Sequence, residues 1–271
     1  MTNAQNRLTV IVGGNGKTGR RVAERMRSLG APVRTVSPSA DVPFDWNDEL
    51  TWAPALHGAG ALYLTYHPDL AVPSAADHIR RVSRLAVEIG VEKIVLLAGR
   101  GEPQVHPAET AVRESGAAWT ILECAFFMQN FTEGVLAPDG DTIAFPAGDI
   151  REPFLDCDDI ADVVVAALTD DVHNGQTYEL TGPRLMTFGE ATMALSGAMG
   201  RPLRYLPVTF EQYAKGLSEH FTPPVVEFFI ELFRFLLDGH NATLTSDVER
   251  VLGRPARDFN NFALRAVKAQ R

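Results

Sequence analysis

A glycine-rich stretch near the start of the chain, VIVGGNGKTGRR at Val10–Arg21, constrains the fold more than any other feature. It contains Gly-Lys-Thr, the ending of the phosphate loop of nucleoside triphosphatases. That loop also requires a glycine five residues before the position of Gly16. Ile11 stands there, inside a β-branched run, so the triphosphatase interpretation fails on its spacing.

The same stretch fits a dinucleotide-binding turn. The run Leu8–Val12 predicts a buried parallel strand before the glycines, and the apolar spacing of residues 17–29 predicts a helix after them. In such a turn the glycines permit tight folding, close approach to a pyrophosphate and close helix packing, with the pyrophosphate at the helix N-terminus. The alternative is a purely structural turn. The expected nucleotide contacts are Gly14, Asn15, Gly16, Lys17, Thr18 and Gly19.

The residues that end the second predicted strand, RTVSPSA, favour NADP(H) over NAD(H). NAD sites usually carry an acidic residue about 20 residues after the glycines, whereas no acidic residue lies between Glu24 and Asp41 here. The alternative is an ordinary Ser-Pro-Ser turn. The hydroxyls of Ser37 and Ser39 can hydrogen-bond a 2′-phosphate. Its charge can be neutralised by Arg34, Lys17 or Arg20.

Alternating short apolar strands and amphipathic helices predict an α/β fold, a Rossmann-type doubly wound parallel sheet. After Cys124 helical patterns dominate. We therefore divide the chain into residues 1–124, an NADP-binding Rossmann core, and residues 125–271, a smaller, helix-rich and mainly substrate-binding or lid region. A predicted strand near 176–181 is placed so that it can return to the sheet.

Composition limits the partners. The net charge of −9 argues against nucleic acid, because phosphate binding needs a surplus of cations. Cys124, Cys157 and the seven histidines show no metal-site spacing, so no metal is expected. The longest apolar stretch is interrupted by charges, and the N-terminus lacks the apolar core of a signal peptide. We expect a cytoplasmic protein with no membrane segment, as a monomer or homodimer.

Several segments together resemble the NmrA-like branch of the atypical short-chain dehydrogenase/reductases, and bacterial relatives of ergot-alkaloid-type reductases in particular. The segments are GGNGKTGRRVAERM, KIVLLAGRGE, SGAAWTILECAFFMQNF, PFLDCDDIADVVVAAL and YELTGP. The resemblance implies a Rossmann domain with a small C-terminal substrate domain. Its members include ketone, imine, quinone and double-bond reductases, and also redox-sensing regulators that bind the nucleotide without turnover.

The resemblance also implies further nucleotide contacts at the carboxyl ends of three strands, where open α/β sheets bind ligands. The adenosine side is expected at the end of the third strand, and the nicotinamide at the end of the fifth. The residues are Thr65 and Tyr66, then Ala98 and Gly99, then Cys124, Ala125 and Phe126.

The usual catalytic set of short-chain dehydrogenases is absent. None of the five tyrosines is followed by lysine at the fourth position, and Ala98-Gly99 stands where a serine is expected. A proton can instead come from water, from the substrate or from a substitute acid. The candidate substitutes are His106, Tyr66 and Arg100. The alternatives are an ordinary loop histidine for His106 and sheet packing for Tyr66.

Aromatic residues in the second half favour a bulky apolar substrate. They can form a lid over a flat ligand, or equally a core or dimer face. The candidate substrate-lining residues are Phe127, Met128, Phe131, Phe221 and Phe229. The sequence thus predicts an NADPH-dependent reductase, a ketoreductase acting on a hydrophobic, polyketide-like metabolite. The alternatives are an imine, quinone or C=C reductase, or a non-catalytic NADP-binding sensor.

Overall fold

The computed structural model describes residues 7–269, with no side-chain description for Ala269. The chain forms two compact units. Unit 1 contains the described residues up to Cys124, together with Cys157–Leu180 and Asp247–Arg254. Unit 2 contains Ala125–Asp156, Thr181–Ser246 and the described residues from Pro255 onward.

The regular elements follow one another in the order that the sequence pattern predicts for the first half, and helices prevail in the second. The strands are β1 Leu8–Val12, β2 Val33–Val36, β3 Ala59–Leu64, β4 Lys93–Gly99, β5 Ala118–Cys124, β6 Thr142–Phe145, β7 Arg151–Glu152, β8 Gln176–Leu180, β9 Met186–Thr187 and β10 Arg204–Pro207. The helices are α1 Gly19–Ser28, α2 Trp52–Leu56, α3 Ala75–Glu88, α4 His106–Arg113, α5 Asn130–Glu133, α6 Cys157–Thr169, α7 Phe188–Met199, α8 Phe210–Leu217, α9 Pro223–Leu236, α10 Asp247–Leu252 and α11 Phe259–Ala269.

Unit 1 is built on a six-stranded sheet in the order β2-β1-β3-β4-β5-β8. Every pairing in it is parallel. Its strands are continuous apolar runs because helices cover both faces of a parallel sheet. The order reverses beside β1, and ligands of such sheets bind outside the carboxyl ends of the strands at this point. The predicted doubly wound sheet is confirmed.

Helix packing in unit 1 follows the apolar spacing of the sequence. In α3, Ile79, Val82 and Ala86 recur on one face and are fully buried against the sheet. The helix α1 ends beside Gly30, which has a φ of 74° that other residues rarely adopt.

Two later segments also belong to unit 1: Cys157–Leu180, which contains α6 and β8, and Asp247–Arg254, which contains α10. The sequence-based division after Cys124 named a return to the sheet only for the strand near 176–181. The strand β8 pairs with β5 along its whole length. The helix α6 is held to α1 by Arg25, whose guanidinium donates to Asp158 at 2.8 Å and to Asp162 at 2.5 Å. Ion pairing between residues more than 130 positions apart is a tertiary event that local sequence pattern does not report.

Unit 2 has a phenylalanine core. Two small sheets belong to it, a parallel pair of β6 and β10 and an antiparallel pair of β7 and β9. The helix α7 starts with a capping box in which the Thr187 hydroxyl and the Glu190 carboxylate each accept a backbone N–H of the other residue. The fully buried rings are Phe131, Phe145, Phe154, Phe188 and Phe259.

Among residues 7–269, no helix has the length and apolar character needed to cross a lipid bilayer.

Candidate dinucleotide site

The glycine turn between β1 and α1 is anchored to the neighbouring strand. The backbone N–H groups of Gly13 and Gly14 both donate to the carbonyl oxygen of Val36, at 3.0 and 3.2 Å. Gly13 has a φ of 73°, and the N–H of Gly16 donates back to its carbonyl at 2.8 Å. The turn therefore closes tightly against the carboxyl end of β2.

The glycines serve two different purposes. A Cβ on Gly14 would lie 2.5 Å from Cβ of Thr35, and one on Gly19 would lie 2.9 Å from the carbonyl carbon of Gly13. A Cβ on Gly16 would meet one atom, the Gly13 carbonyl oxygen, at 3.1 Å. Gly14 and Gly19 are thus required by packing, whereas Gly16 leaves its backbone accessible to a close ligand, which is what a pyrophosphate needs.

The N-terminus of α1 suits an anion. Its first turn carries no acidic side chain, and its free N–H groups and dipole favour negative charge. The Thr18 side chain is buried beneath the turn, where its hydroxyl accepts a hydrogen bond from Tyr63 at 3.0 Å. Burial raises the pKa of Tyr63, so this phenol stays neutral and serves as a donor. The residues of the turn fit a dinucleotide.

The end of β2 brings one of the predicted 2′-phosphate contacts, Ser37, to the turn. The Asn15 amide donates to the Ser37 hydroxyl at 3.2 Å, and Ser39 is exposed. Arg34 lies elsewhere, because its guanidinium donates to the carbonyl oxygens of Ala55 and His57 at 3.0 and 2.7 Å. These carbonyls precede β3, at the amino end of the sheet, so the structure does not bring Arg34 to the serines.

At the end of β3, Thr65 and Tyr66 have separate roles. The Thr65 hydroxyl donates to the carbonyl of Val12 at 3.0 Å and touches the glycine turn. The Tyr66 hydroxyl lies 2.7 Å from Nδ1 of His78, and its ring centroid is 4.6 Å from that of Trp46. Tyr66 is therefore part of an aromatic cluster that packs against α3.

The other two predicted substitute acids are Arg100, which has a carboxylate partner, and His106, which is exposed. Arg100 is buried, and its Nε donates to the Glu179 carboxylate on β8 at 3.0 Å. His106 is exposed at the first position of α4. Ala98 is buried and Gly99 half-buried at the end of β4. The structure does not gather the three predicted acids into one cluster.

A carboxyl group that the sequence analysis did not single out lies at this edge of the sheet. Glu102, in the turn after β4, is 5% exposed, and its Oε2 has no hydrogen-bond partner. Burial, and then the charge of Asp69 in the loop after β3, raise the pKa of Glu102 to about 8. A glutamate in a Gly-Glu-Pro turn reads as exposed in sequence, so no signal there indicates its burial.

A second group of carboxyls lies beside α4. Burial first, then the charges of Glu109 and Glu179, raise the pKa of Glu123 to about 7. Glu109 is fully buried, and its Oε2 accepts a hydrogen bond from Arg113 at 3.1 Å. Among the described residues, no group of three or more His, Cys, Asp or Glu side chains is placed to hold a metal ion.

Residues predicted beside the nicotinamide are mostly buried. Cys124 ends β5 in unit 1, and burial raises the pKa of its thiol well above the usual value. In unit 2, Ala125 is buried and Phe126 is half-buried, with its ring 5.5 Å from that of Phe188.

The predicted substrate-lining residues fall into two sets within unit 2. Met128 and Phe131 are buried core residues. Phe127 and Phe229 are half-buried, and Phe221 is 47% exposed, with its ring 6.0 Å from that of Phe229. Met128 and Phe131 therefore build the core, whereas Phe127, Phe221 and Phe229 keep exposed apolar surface.

The parallel sheet, its switch in strand order and the glycine turn define a Rossmann-type, dinucleotide-binding protein. No family model matches the chain. The NAD(P)H azoreductase of Xenophilus azovorans is 28% identical in an alignment of 282 positions, gaps included, that covers 94% of this chain and 96% of the relative. The (4-alkanoyl-5-oxo-2,5-dihydrofuran-3-yl)methyl phosphate reductase of Streptomyces griseus is 29% identical in an alignment of 286 positions, gaps included, that covers 97% of this chain and 99% of the relative.

Solved structures show the same fold. The triphenylmethane reductase of Citrobacter sp. superposes with a TM-score of 0.74 at 20% identity, covering 96% of this chain and 99% of the other. NmrA, a negative transcriptional regulator in complex with NAD, superposes with a TM-score of 0.74 at 15% identity, covering 98% and 97%. These relatives and solved structures support the predicted resemblance to the NmrA-like atypical short-chain dehydrogenase/reductases, and the named full-length relatives include NAD(P)H-dependent oxidoreductases.

Proposed function

We propose that the protein is an NADPH-dependent reductase that transfers hydride to the carbonyl carbon of a bulky, hydrophobic metabolite. The observation that carries this proposal is the glycine turn at the head of α1, where Gly16 leaves backbone accessible and Gly14 and Gly19 are required by packing. When bound there, the dinucleotide supplies the hydride. The protein's own residues bind, orient and protonate.

The preference for NADPH over NADH rests on the end of β2. Ser37 and Ser39 supply hydroxyls there, and the segment between Glu24 and Asp41 holds no acidic side chain to repel a 2′-phosphate. Lys17 or Arg20, in and after the turn, is the proposed counter-charge. The remaining nucleotide contacts that we propose are Asn15, Thr18, Thr65, Tyr66, Ala98, Gly99, Cys124, Ala125 and Phe126.

The proposed substrate class is supported by the names of the relatives and by the aromatic residues of unit 2. An azoreductase and a triphenylmethane dye reductase act on conjugated compounds. Exposed apolar surface at Phe221, and partly at Phe127 and Phe229, suits a flat hydrophobic ligand. We propose carbonyl reduction first, with imine, quinone or C=C reduction as variants of the same hydride transfer.

Reduction of a carbonyl also needs a proton. The substitute acids proposed from the sequence are testable one at a time with His106→Ala, Tyr66→Phe and Arg100→Ala. Undiminished turnover in all three variants would remove them as proton donors. Their individual partners, His78 for Tyr66 and Glu179 for Arg100, favour structural roles.

The second candidate function is a redox sensor that binds the dinucleotide without turnover. The absence of a Tyr-x-x-x-Lys pattern favours it, as does the shared fold of a transcriptional regulator.

Calorimetric titration with NADPH and NADH, followed by an assay of NADPH oxidation in the same sample, separates the two candidates. The acceptors are methyl red, menadione and acetylnaphthalene, which represent azo, quinone and aryl ketone chemistry. We expect tighter NADPH binding and oxidation with at least one acceptor. Tight binding with no oxidation would favour the sensor over the reductase, and tighter NADH binding would refute our interpretation of Ser37 and Ser39.

A further inference from the structure

The carboxyl group of Glu102 occupies a position at the ligand-binding edge of the sheet that needs an explanation. Glu102 follows β4, an interior strand, by three residues. A Cβ on Gly99 would lie 2.8 Å from its Oε2 and nearer still to Oε1 and the carboxyl carbon. The carboxyl group therefore packs directly on the backbone of Gly99, in space that any other residue at that position would fill.

The surroundings of Glu102 do not stabilise its charge. Its Oε2 is buried without a hydrogen-bond partner. A buried polar atom without a partner costs free energy, so such atoms in native structures call for an explanation. No cation is paired with Glu102 among the described ion pairs, and Arg100, two residues earlier, is directed to Glu179. The site thus holds an acid that lacks the partners a carboxylate normally has.

The charged group that faces Glu102 is Asp69, from the loop that follows β3. Burial raises the pKa of Asp69 as well, while a backbone hydrogen bond from Ala71, at 2.8 Å, opposes that rise. Two carboxyls close together cannot both be ionised cheaply, so one of them retains a proton. Glu102, whose pKa rises to about 8, is the one that retains it near neutral pH.

We propose that Glu102 is the acid that protonates the reduced substrate, a role that rests on the proposed reductase function. As hydride forms the new C–H bond, the C=O π bond breaks and its electron pair moves to oxygen. That oxygen takes the proton from the Glu102 carboxyl group, which becomes a carboxylate. Solvent water then reprotonates it, so the substrate gains one hydride and one proton.

A general acid is most effective when its pKa lies close to the working pH. A neutral carboxylic acid with one uncommitted oxygen can donate to a substrate oxygen, whereas a carboxylate at the same position would repel the developing negative charge. Tyr66 and Arg100 already bind protein partners, whereas one carboxyl oxygen of Glu102 has none.

The test is Glu102→Gln, which keeps the shape of the side chain and removes its acid. We expect the rate of NADPH oxidation with the best acceptor of the panel to fall by about 100-fold or more, with NADPH affinity unchanged. The matched control is Glu88→Gln, an exposed glutamate at the end of α3, which should behave like the wild type.

A second variant tests the role of Glu102 without removing it. Asp69→Asn removes the like charge, so the Glu102 pKa should fall. The wild-type rate should decline as pH rises through about 8, because the protonated form is required, and the decline should start at lower pH in Asp69→Asn. Carboxyl carbon NMR of the nucleotide-free protein measures the same two titrations independently of turnover.

The outcomes separate the two claims. A wild type that oxidises NADPH with no acceptor fails as a reductase, and the protonating role falls with it. A wild type that turns over while Glu102→Gln matches its rate and pH profile refutes the role of Glu102 alone. A Glu102 resonance that titrates in the ordinary range of glutamate refutes it as well.

Discussion

Two alanine substitutions in one turn separate its packing requirement from its ligand requirement. At Gly19 a Cβ would lie 2.9 Å from the carbonyl carbon of Gly13 and 3.1 Å from Cα of Gly14, and nearer still to the Gly13 oxygen. These are backbone atoms that cannot rotate away. At Gly16 the single close atom is the Gly13 oxygen, at 3.1 Å, which an adjustment of a few tenths of an ångström relieves.

The expected magnitudes follow from these contacts. Overpacking against rigid surroundings typically costs about 1–3 kcal/mol, so Gly19→Ala should lower the free energy of unfolding by that amount or more. For Gly16→Ala, the strain is offset by about 0.4–1 kcal/mol from the reduced freedom of the unfolded chain. Its stability should therefore stay near that of the wild type, while NADPH affinity falls at least about tenfold, or about 1.4 kcal/mol.

Urea denaturation gives the stabilities, and calorimetric titration with NADPH gives the affinities. The control is Gly197→Ala in α7, where the added Cβ would meet no atom and the helix should gain about 0.5–1 kcal/mol. If Gly16→Ala bound NADPH as tightly as the wild type, the nucleotide would not approach this backbone. If Gly19→Ala were as stable as the wild type, the packing account would be wrong.

Three further predictions concern single side chains. Lys93→Met should lower the free energy of unfolding by about 2–3 kcal/mol in urea, because Nζ, in a side chain 1% exposed, donates to the carbonyls of Ala167 and Asp170 at 3.1 and 3.0 Å. Arg34→Ala should leave the ratio of NADPH to NADH affinity unchanged in calorimetry, since the Arg34 guanidinium binds carbonyls at the other end of the sheet. A lowered ratio would mean that Arg34 does contact the 2′-phosphate. Hydrogen bonding to Arg184 lowers the pKa of Asp258 below 3.8. This pair therefore stabilises the fold above pH 3.8, and its contribution is lost as the pH falls through the lowered pKa. In thermal melts, the stability of Asp258→Asn should fall less on acidification than that of the wild type.

The fold was predictable because local pattern is sufficient for it. The run Leu8–Val12, the glycines and the helix after them are contiguous, and each is dictated by its own residues. The parallel sheet then follows from alternation of strands and helices. What local pattern could not supply is the return of α6 and α10 to unit 1, because this depends on contacts with residues far away in the chain.

Side-chain direction limited the prediction of the site. Arg34 has the right charge and position in sequence for a 2′-phosphate, but two carbonyls near the start of β3 take its guanidinium. Met128 and Phe131 follow β5 closely, yet both are buried in the core of unit 2. Residue type and strand end indicate a neighbourhood, and hydrogen-bond competition decides which side chains stay available in it.

Glu102 is the opposite case, a residue that the structure places at the site and that the sequence did not indicate. A glutamate beside glycine and proline is ordinarily a solvated turn residue, and nothing in its own identity suggests a raised pKa. Its burial depends on the missing side chain of Gly99, and its protonation on Asp69, which lies more than 30 positions earlier. The residues of a Tyr-x-x-x-Lys pattern stand at a fixed spacing in the sequence, whereas a carboxyl group with a raised pKa arises from tertiary contacts. The absence of Tyr-x-x-x-Lys therefore removes one route to protonation and leaves the chemistry open to another.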